Sequence, residues 1–105
     1  MRAGIKPVAF LLLLQCVAPA SAAETIKVAI NNVAYEPVTV SARVGDTIEW
    51  TNNDIVAHTA TARDKSWDYM ILPKKTARFT VKKAGSIEYY CKFHPNMVGH
   101  IDAKE

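Results

Sequence analysis

The chain has 105 residues, with 13 lysine and arginine residues, 10 aspartate and glutamate residues, and a formal net charge of +3. This length is enough for one domain with a modest hydrophobic core. The sequence has neither the basic patch of a nucleic-acid-binding protein nor a helix suited to a membrane surface, which argues against both of these classes.

The N-terminal segment has the pattern of a secretory signal peptide. Arg2 and Lys6 precede the apolar run VAFLLLLQCVA (8–18), and the small residues PASAA follow it. A basic start, an apolar middle and small residues at the end are typical of a segment that signal peptidase removes. The run is also short for a membrane-spanning helix, which needs about 20 apolar residues. We therefore predict that residues 1–22 are a signal peptide, with a cut after Ala22 or alternatively Ala23.

Cleavage would leave a single domain, residues 23–105, exported to the periplasm and without a membrane span. The formal charge would fall from +3 to +1, because two basic residues are removed. Cys16 would be removed as well, so Cys91 would be the only thiol of the exported protein. Disulfides need pairs of cysteines, so a single exported thiol is idle and buried, reactive, or bound to a ligand.

The remaining sequence shows the pattern of short β-strands. Six segments rich in β-branched and aromatic residues are separated by turn signals. They are TIKVAI (25–30), PVTVSA (37–42), TIEWTN (47–52), HTATA (58–62), ARFTV (77–81) and SIEYYC (86–91). No segment has the period of an amphipathic helix. Many short strands at close spacing indicate an all-β fold, either an antiparallel sandwich or a barrel.

Alternation along the strands predicts which side chains face the core. In TIEW, Ile48 and Trp50 share one face. In SIEYYC, Ile87 and Tyr89 share a face with Cys91. If that face is the core, Cys91 points inward at the end of its strand and the neighbouring Tyr90 points outward.

The strongest functional signal is the spacing Cys91-x-x-His94-x-x-Met97. A thiolate and imidazoles in a trigonal arrangement, with a weak axial methionine, suit copper in an electron-transfer site. Such a site needs a second imidazole from elsewhere in the chain. His58, at the start of the strand HTATA, is favoured over His100. His100 lies just after Gly99, where we expect the chain to resume a strand, and its side chain is expected to be exposed to solvent.

Other roles for the same residues fit less well. An idle core thiol does not account for the neighbouring histidine and methionine. A structural zinc site usually has four cysteine or histidine ligands, and a thioether is a poor ligand for zinc. A Cys–His nucleophile would need an orienting group and an oxyanion hole in a small sandwich with little room for a cleft. A binuclear copper centre would need a second cysteine.

The sequence resembles the small type I copper proteins of the plastocyanin and amicyanin family, and the Cys-x-x-His-x-x-Met spacing resembles amicyanin in particular. The matching segments are VGDTIEW (44–50), NN (52–53), His58 after a loop, AGSIEYYC (84–91) and CKFHPNMVG (91–99). The resemblance implies a Greek-key β-sandwich holding one copper ion through His58, Cys91, His94 and, axially, Met97. Thr59 stands where the family usually has asparagine.

This resemblance leads to an expected function. We expect an exported one-electron carrier rather than an enzyme, acting as a monomer between a redox donor and a redox acceptor. The partners would dock on a largely apolar patch around His94, formed by Phe93, Pro95, Asn96, Met97 and Val98. A copper delivery or storage module with the same ligands is the second hypothesis, and a thiol-dependent enzyme is the third.

Overall fold

The computed structural model describes Gly4 and residues 22–105. The predicted signal peptide, residues 1–22, therefore lies outside the described residues except at these two positions. The described part of the chain forms nine strands. They are β1 (Thr25–Asn31), β2 (Ala34–Glu36), β3 (Thr39–Arg43), β4 (Thr47–Asn52), β5 (His58–Ala62), β6 (Asp68–Ile71), β7 (Thr76–Thr80), β8 (Gly85–Tyr90) and β9 (Val98–Lys104). No helix among the described residues has the length and apolar character needed to cross a membrane.

The strands form two sheets, which confirms the expected all-β fold. One sheet has the order β2-β1-β4-β7 and the other the order β3-β9-β8-β5-β6. The buried apolar side chains of both sheets form a single core. Such a two-layer arrangement buries one face of each sheet and leaves the other face to solvent.

The expectation of purely antiparallel pairing is wrong for two strand pairs. β1 runs parallel to β4, with Thr25 opposite Thr47, and β3 runs parallel to β9, with Thr39 opposite His100. These partners are distant in the sequence, and the chain visits the other sheet between them. Side-chain alternation has the same period of two in both directions, so it does not reveal which way a neighbouring strand runs.

Two strands, β2 and β6, were not predicted from the sequence, and β9 was expected only as a strand that resumes near Gly99. β2 has only three residues, and β9 includes Gly99 and Asp102, which are poor strand formers. β6 is an edge strand in which the exposed Asp68 and Met70 alternate with inward residues. Each gains its extended form by pairing with a neighbouring strand, and no pattern of its own indicates it.

Aromatic residues occupy the centre of the core. Trp50 is fully buried, as alternation predicted, and contacts the rings of Trp67 and Tyr89. Tyr89 in turn packs edge-on against Tyr35 and lies opposite Gly99 across the β8–β9 pair. A Cβ atom at Gly99 would lie 2.3 Å from Cζ of Tyr89, so only glycine leaves room for this ring.

Five connections meet at one end of the sandwich. They are residues 32–33, 37–38, 53–57, 72–75 and 91–97, which we call the loop cluster. Backbone hydrogen bonds join several of them, including two between Asn52 at the end of β4 and the turn that contains Lys74 and Lys75. Because β1 runs parallel to β4, the connections that follow these two strands lie at the same end. Because β3 runs parallel to β9, the connections that precede those two strands also lie together.

Candidate metal centre

Three side chains of the types that bind metal ions converge beside the loop cluster. The ligand atoms of His58, Cys91 and His94 all lie within 4.8 Å of one another. Sγ of Cys91 is 3.7 Å from Nδ1 of His58 and 3.8 Å from Nδ1 of His94. Cys91 and His94 come from one motif, and His58, which the sequence favoured as the second imidazole, joins them from 33 positions upstream.

Each of the three side chains is positioned by a different part of the fold. Cys91 follows the last residue of β8 and is fully buried, on the same face as Tyr89. His58 is the first residue of β5 and is also fully buried. His94 lies in the loop between β8 and β9 and is only partly buried. The cluster thus has two rigidly held members and one member close to the surface.

Met97 closes the loop that contains Cys91 and His94. Its backbone N–H donates to the carbonyl of His94 at 2.8 Å, and its carbonyl accepts from the N–H of Cys91 at 3.0 Å. The side chain is buried. The turn therefore brings Met97 back beside Cys91, as the spacing suggested. His100 is outside the cluster, on β9, with its Nε2 3.9 Å from a carboxylate oxygen of Glu88.

Asp54, which no sequence pattern predicted as part of the site, contacts His58. Its carboxylate lies 2.8 Å from Nε2 of His58 and also accepts the backbone N–H groups of Asn32 and Val33. These bonds, first that from Val33 and then that from His58, hold the pKa of Asp54 below its usual value. With Nε2–H donating to the carboxylate, Nδ1 keeps the free lone pair that faces Cys91. Only the fold shows this contact, because a spacing of four residues within a loop does not by itself bring two side chains together.

The sulfur of Cys91 has a single close hydrogen-bond donor among the described residues. The backbone N–H of Thr59 points at Sγ over 3.3 Å. A donor at this position stabilises negative charge on the sulfur, as a thiolate requires. Thr59 therefore makes this contact with its main chain, although its side chain differs from the usual asparagine.

The donor set fits copper. It combines a buried sulfur, two imidazole nitrogens and a nearby thioether, which is the soft mixed set of blue electron-transfer sites. Zinc fits less well, since its structural sites use four cysteine or histidine ligands and the cluster has three.

The outward side chain next to Cys91 is covered by positive charge. The ring of Tyr90 lies 4.3 Å from Cζ of Arg63 and 4.7 Å from Nζ of Lys65, which also contacts the phenol oxygen. The structure confirms that Tyr90 points away from the core, but the two cations occupy the space around its ring.

Known proteins resemble the chain in sequence and in fold. The sequence profile of the family described as Cupredoxin-like domain matches residues 4–102. A curated relative, amicyanin of Paracoccus versutus, is 26% identical over 85 residues, which cover 75% of this chain and 64% of the relative. The chain thus spans less than two thirds of the length of that relative.

Solved structures agree with the sequence match. A purple cupredoxin from Nitrosopumilus maritimus has a TM-score of 0.71 and 24% identity, over 75% of this chain and 99% of its own. Amicyanin from Paracoccus versutus has a TM-score of 0.69 and 24% identity, over 81% and 84%. At these identities the two structures show a shared fold. With the family profile spanning nearly the whole chain, the protein belongs to the cupredoxin-like family of small blue copper proteins, and the predicted cofactor, one copper ion, is confirmed.

Proposed function

We propose that the protein is an exported one-electron carrier in which His58, Cys91, His94 and Met97 would hold one copper ion. The observation that carries this proposal is the convergence of two imidazole nitrogens on the buried sulfur of Cys91. Bound copper supplies reversible one-electron chemistry, because it cycles between Cu(I) and Cu(II). No substrate needs to enter, so a carrier of this kind is not an enzyme.

The chain's own residues supply the rigidity that such a carrier needs. His58 is held by its strand on one side and by Asp54 on the other. Cys91 is fixed by the N–H of Thr59 and by the backbone bond to Met97. Ligands held in this way move little when the charge of the site changes, which keeps the reorganisation between oxidation states small.

The proposal includes export to the periplasm. It rests on the basic, apolar and small-residue pattern of residues 1–22, which is the order found in secretory signal peptides. A single cysteine in the remaining chain is also compatible with an oxidising compartment, because Cys91 has no cysteine partner among the described residues.

The proposed docking surface for redox proteins is the apolar part of the loop cluster. It is wider than the patch expected around His94, and it differs from that patch because Phe93 is exposed but Met97 is buried. Large apolar side chains are exposed on each of its five connections. They are Val33, Val38, Ile55, Val56, Leu72 and Phe93. His94 lies in the same cluster and is the least buried of the three converging side chains, since His58 and Cys91 are fully buried. A small apolar surface of this kind suits brief contacts with electron donors and acceptors.

Copper loading followed by spectroscopy and voltammetry tests the proposal. A carrier should be intensely coloured when oxidised, should bleach reversibly on reduction, and should give a reversible voltammogram. Cys91→Ser should abolish the colour, whereas His100→Ala, which removes the histidine outside the cluster, should preserve it. A protein that binds copper without reversible voltammetry, and passes the ion readily to an acceptor, would instead be a delivery or storage module.

A further inference from the structure

Two threonines on the outer face of the second sheet are buried. Thr59 and Thr61 alternate with Ala60 and Ala62 of the core, so their side chains point away from it, yet each is at most 1% exposed. Hydroxyl groups buried in this way need hydrogen-bond partners. Their partners form a closed ring that reaches the residue after Cys91.

The ring links β5, β6 and the loop that contains Cys91. The backbone N–H of Lys92 donates to Oγ1 of Thr59 at 2.9 Å, and Oγ1 of Thr59 lies 2.9 Å from Oγ1 of Thr61. The hydroxyl of Thr61 donates to Oδ1 of Asp68 at 2.8 Å. Nζ of Lys92 donates to the other oxygen of Asp68 at 2.5 Å and closes the ring.

The direction of each bond in the ring follows from the chemistry of its members. The bonds from Lys92 and then Thr61 hold the pKa of Asp68 below its usual value, so the carboxylate is ionised at neutral pH and only accepts. The single hydroxyl proton of Thr61 is used on Asp68. Thr59 must therefore donate its own proton to Thr61, which leaves a lone pair of Thr59 for the Lys92 amide. Bonds that all run toward one carboxylate polarise and strengthen one another.

Thr59 consequently holds two neighbouring points of the cysteine loop. Its N–H contacts Sγ of Cys91, and its hydroxyl contacts the N–H of Lys92. We propose that Asp68 is a positioning residue for Cys91: through Thr61 and Thr59 it fixes the Lys92 amide, and with it the distance between the Cys91 sulfur and the Thr59 N–H. This positioning role goes beyond the proposed electron transfer. Only the second of the two tests below, which measures absorption and reduction potential, depends on copper.

The first test measures amide hydrogen exchange in the metal-free full chain by NMR. Thr59→Val removes the acceptor of the Lys92 amide and should speed exchange of that amide by about tenfold or more. Asp68→Ala should speed it several-fold, because the Thr59 hydroxyl loses its fixed direction. Thr59→Ser keeps the hydroxyl and should restore slow exchange.

Glu88→Ala is the matched control. Glu88 also lies on the outer face and forms an ion pair, with Arg63, but it is outside the ring. Its side chain is 43% exposed and that of Asp68 is 44% exposed, so the two variants remove similarly placed charges. Glu88→Ala should leave the exchange rate of the Lys92 amide at that of the original protein.

The second test uses the copper-loaded protein. Asp68→Ala should shift the visible absorption maximum and the reduction potential, since both respond to the hydrogen bond at the sulfur, and Glu88→Ala should shift neither. If Asp68→Ala matches Glu88→Ala in amide exchange and in absorption, the proposal is wrong. It is also wrong if Asp68→Ala lowers the melting temperature and changes nothing else, because the ring is then only structural. If the protein does not take up copper, the proposed function fails, but the amide exchange still decides this proposal.

Discussion

At the scale of single residues, a buried asparagine organises the loop that leads to His58. Asn52 occupies the third core-facing position of β4, after Ile48 and Trp50. Its amide donates to the carbonyls of Val56 and Ile71, and its Oδ1 accepts the N–H of Asp54. The sequence predicted Asn52 at the end of a strand but not these bonds, because its partners lie in the loop that follows and, for Ile71, in a separate strand.

We expect Asn52→Ala to destabilise the fold by about 2–4 kcal/mol, since it leaves buried backbone groups without partners. Asn53→Ala is the control, because that side chain is exposed and its bond to Asn31 lies at the surface; its cost should be about 0.5 kcal/mol or less. Urea unfolding of the metal-free protein measures both values. Equal losses for the two variants would contradict the role given to Asn52.

At the scale of elements, the tight turn between β1 and β2 contains one residue that is unfavourable for its backbone conformation. Asn32 and Val33 both have positive φ, at 51° and 60°. Asparagine tolerates this conformation, but a β-branched residue rarely adopts it. The carboxylate of Asp54 accepts both N–H groups of the turn and so helps to hold it in place. The hairpin and the site are thus connected through one side chain, which also contacts His58.

Val33→Gly should stabilise the protein by about 0.5–1 kcal/mol, because glycine adopts the left-handed conformation without steric cost and Asn-Gly suits this type of hairpin. Relief of the strain outweighs the greater freedom of glycine in the unfolded chain. Val38→Gly, at another exposed valine of the loop cluster whose φ is not positive, should destabilise instead. Thermal unfolding distinguishes the two, and a lower melting temperature for Val33→Gly would show that Val33 is not strained.

At the scale of the whole molecule, exposed apolar side chains are concentrated at one end. Six of them lie in the loop cluster, whereas Val44 lies in the turn between β3 and β4 at the opposite end. Loops at the ends of a sandwich tolerate polar residues readily, so this bias calls for a cause other than folding. The proposed docking of redox proteins supplies one.

Electron self-exchange between two copies of the protein tests this surface without any other partner. Ile55→Glu and Leu72→Glu each place a charge on the apolar surface and should slow self-exchange by about tenfold, as expected for a loss of about 1.4 kcal/mol. Val44→Glu adds the same charge at the opposite end and should have little effect. NMR line broadening in mixed oxidation states gives the rates. Equal slowing by all three variants would indicate an effect of net charge, and docking would then involve another surface.

The charge distribution also predicts sensitivity to acid. Hydrogen bonds hold the pKa values of four aspartates below their usual value of 3.8. They are Asp46, Asp54, Asp64 and Asp68. For Asp46 the donors are the backbone N–H groups of Glu24 and Arg43. The folded state therefore binds fewer protons than the unfolded state near that pH, so its stability is full above about pH 5 and declines as the pH falls below about 4. Urea unfolding of the metal-free protein between these conditions measures the loss. Asp46→Asn should make the decline shallower, and an unchanged slope would remove Asp46 from the explanation.

The sequence alone determined the class of the fold and the local part of the site. Strand propensity and alternation predicted the inward Ile48 and Trp50, and the spacing of Cys91, His94 and Met97 placed three donor types in one loop. These features depend on neighbours in the chain, and a period of two or a gap of three residues is visible without any structure.

Only the tertiary structure decided the features that depend on distant segments. The parallel β1–β4 and β3–β9 pairs, the bonds from the Asn32–Val33 turn to Asp54, and the ring through Asp68 all join residues that no local pattern relates. Pairing direction and hydrogen-bond partners depend on which strands become neighbours in space. Which strands become neighbours follows from burying one face of each sheet in a common core. The pairing is therefore a property of the whole chain rather than of any short segment.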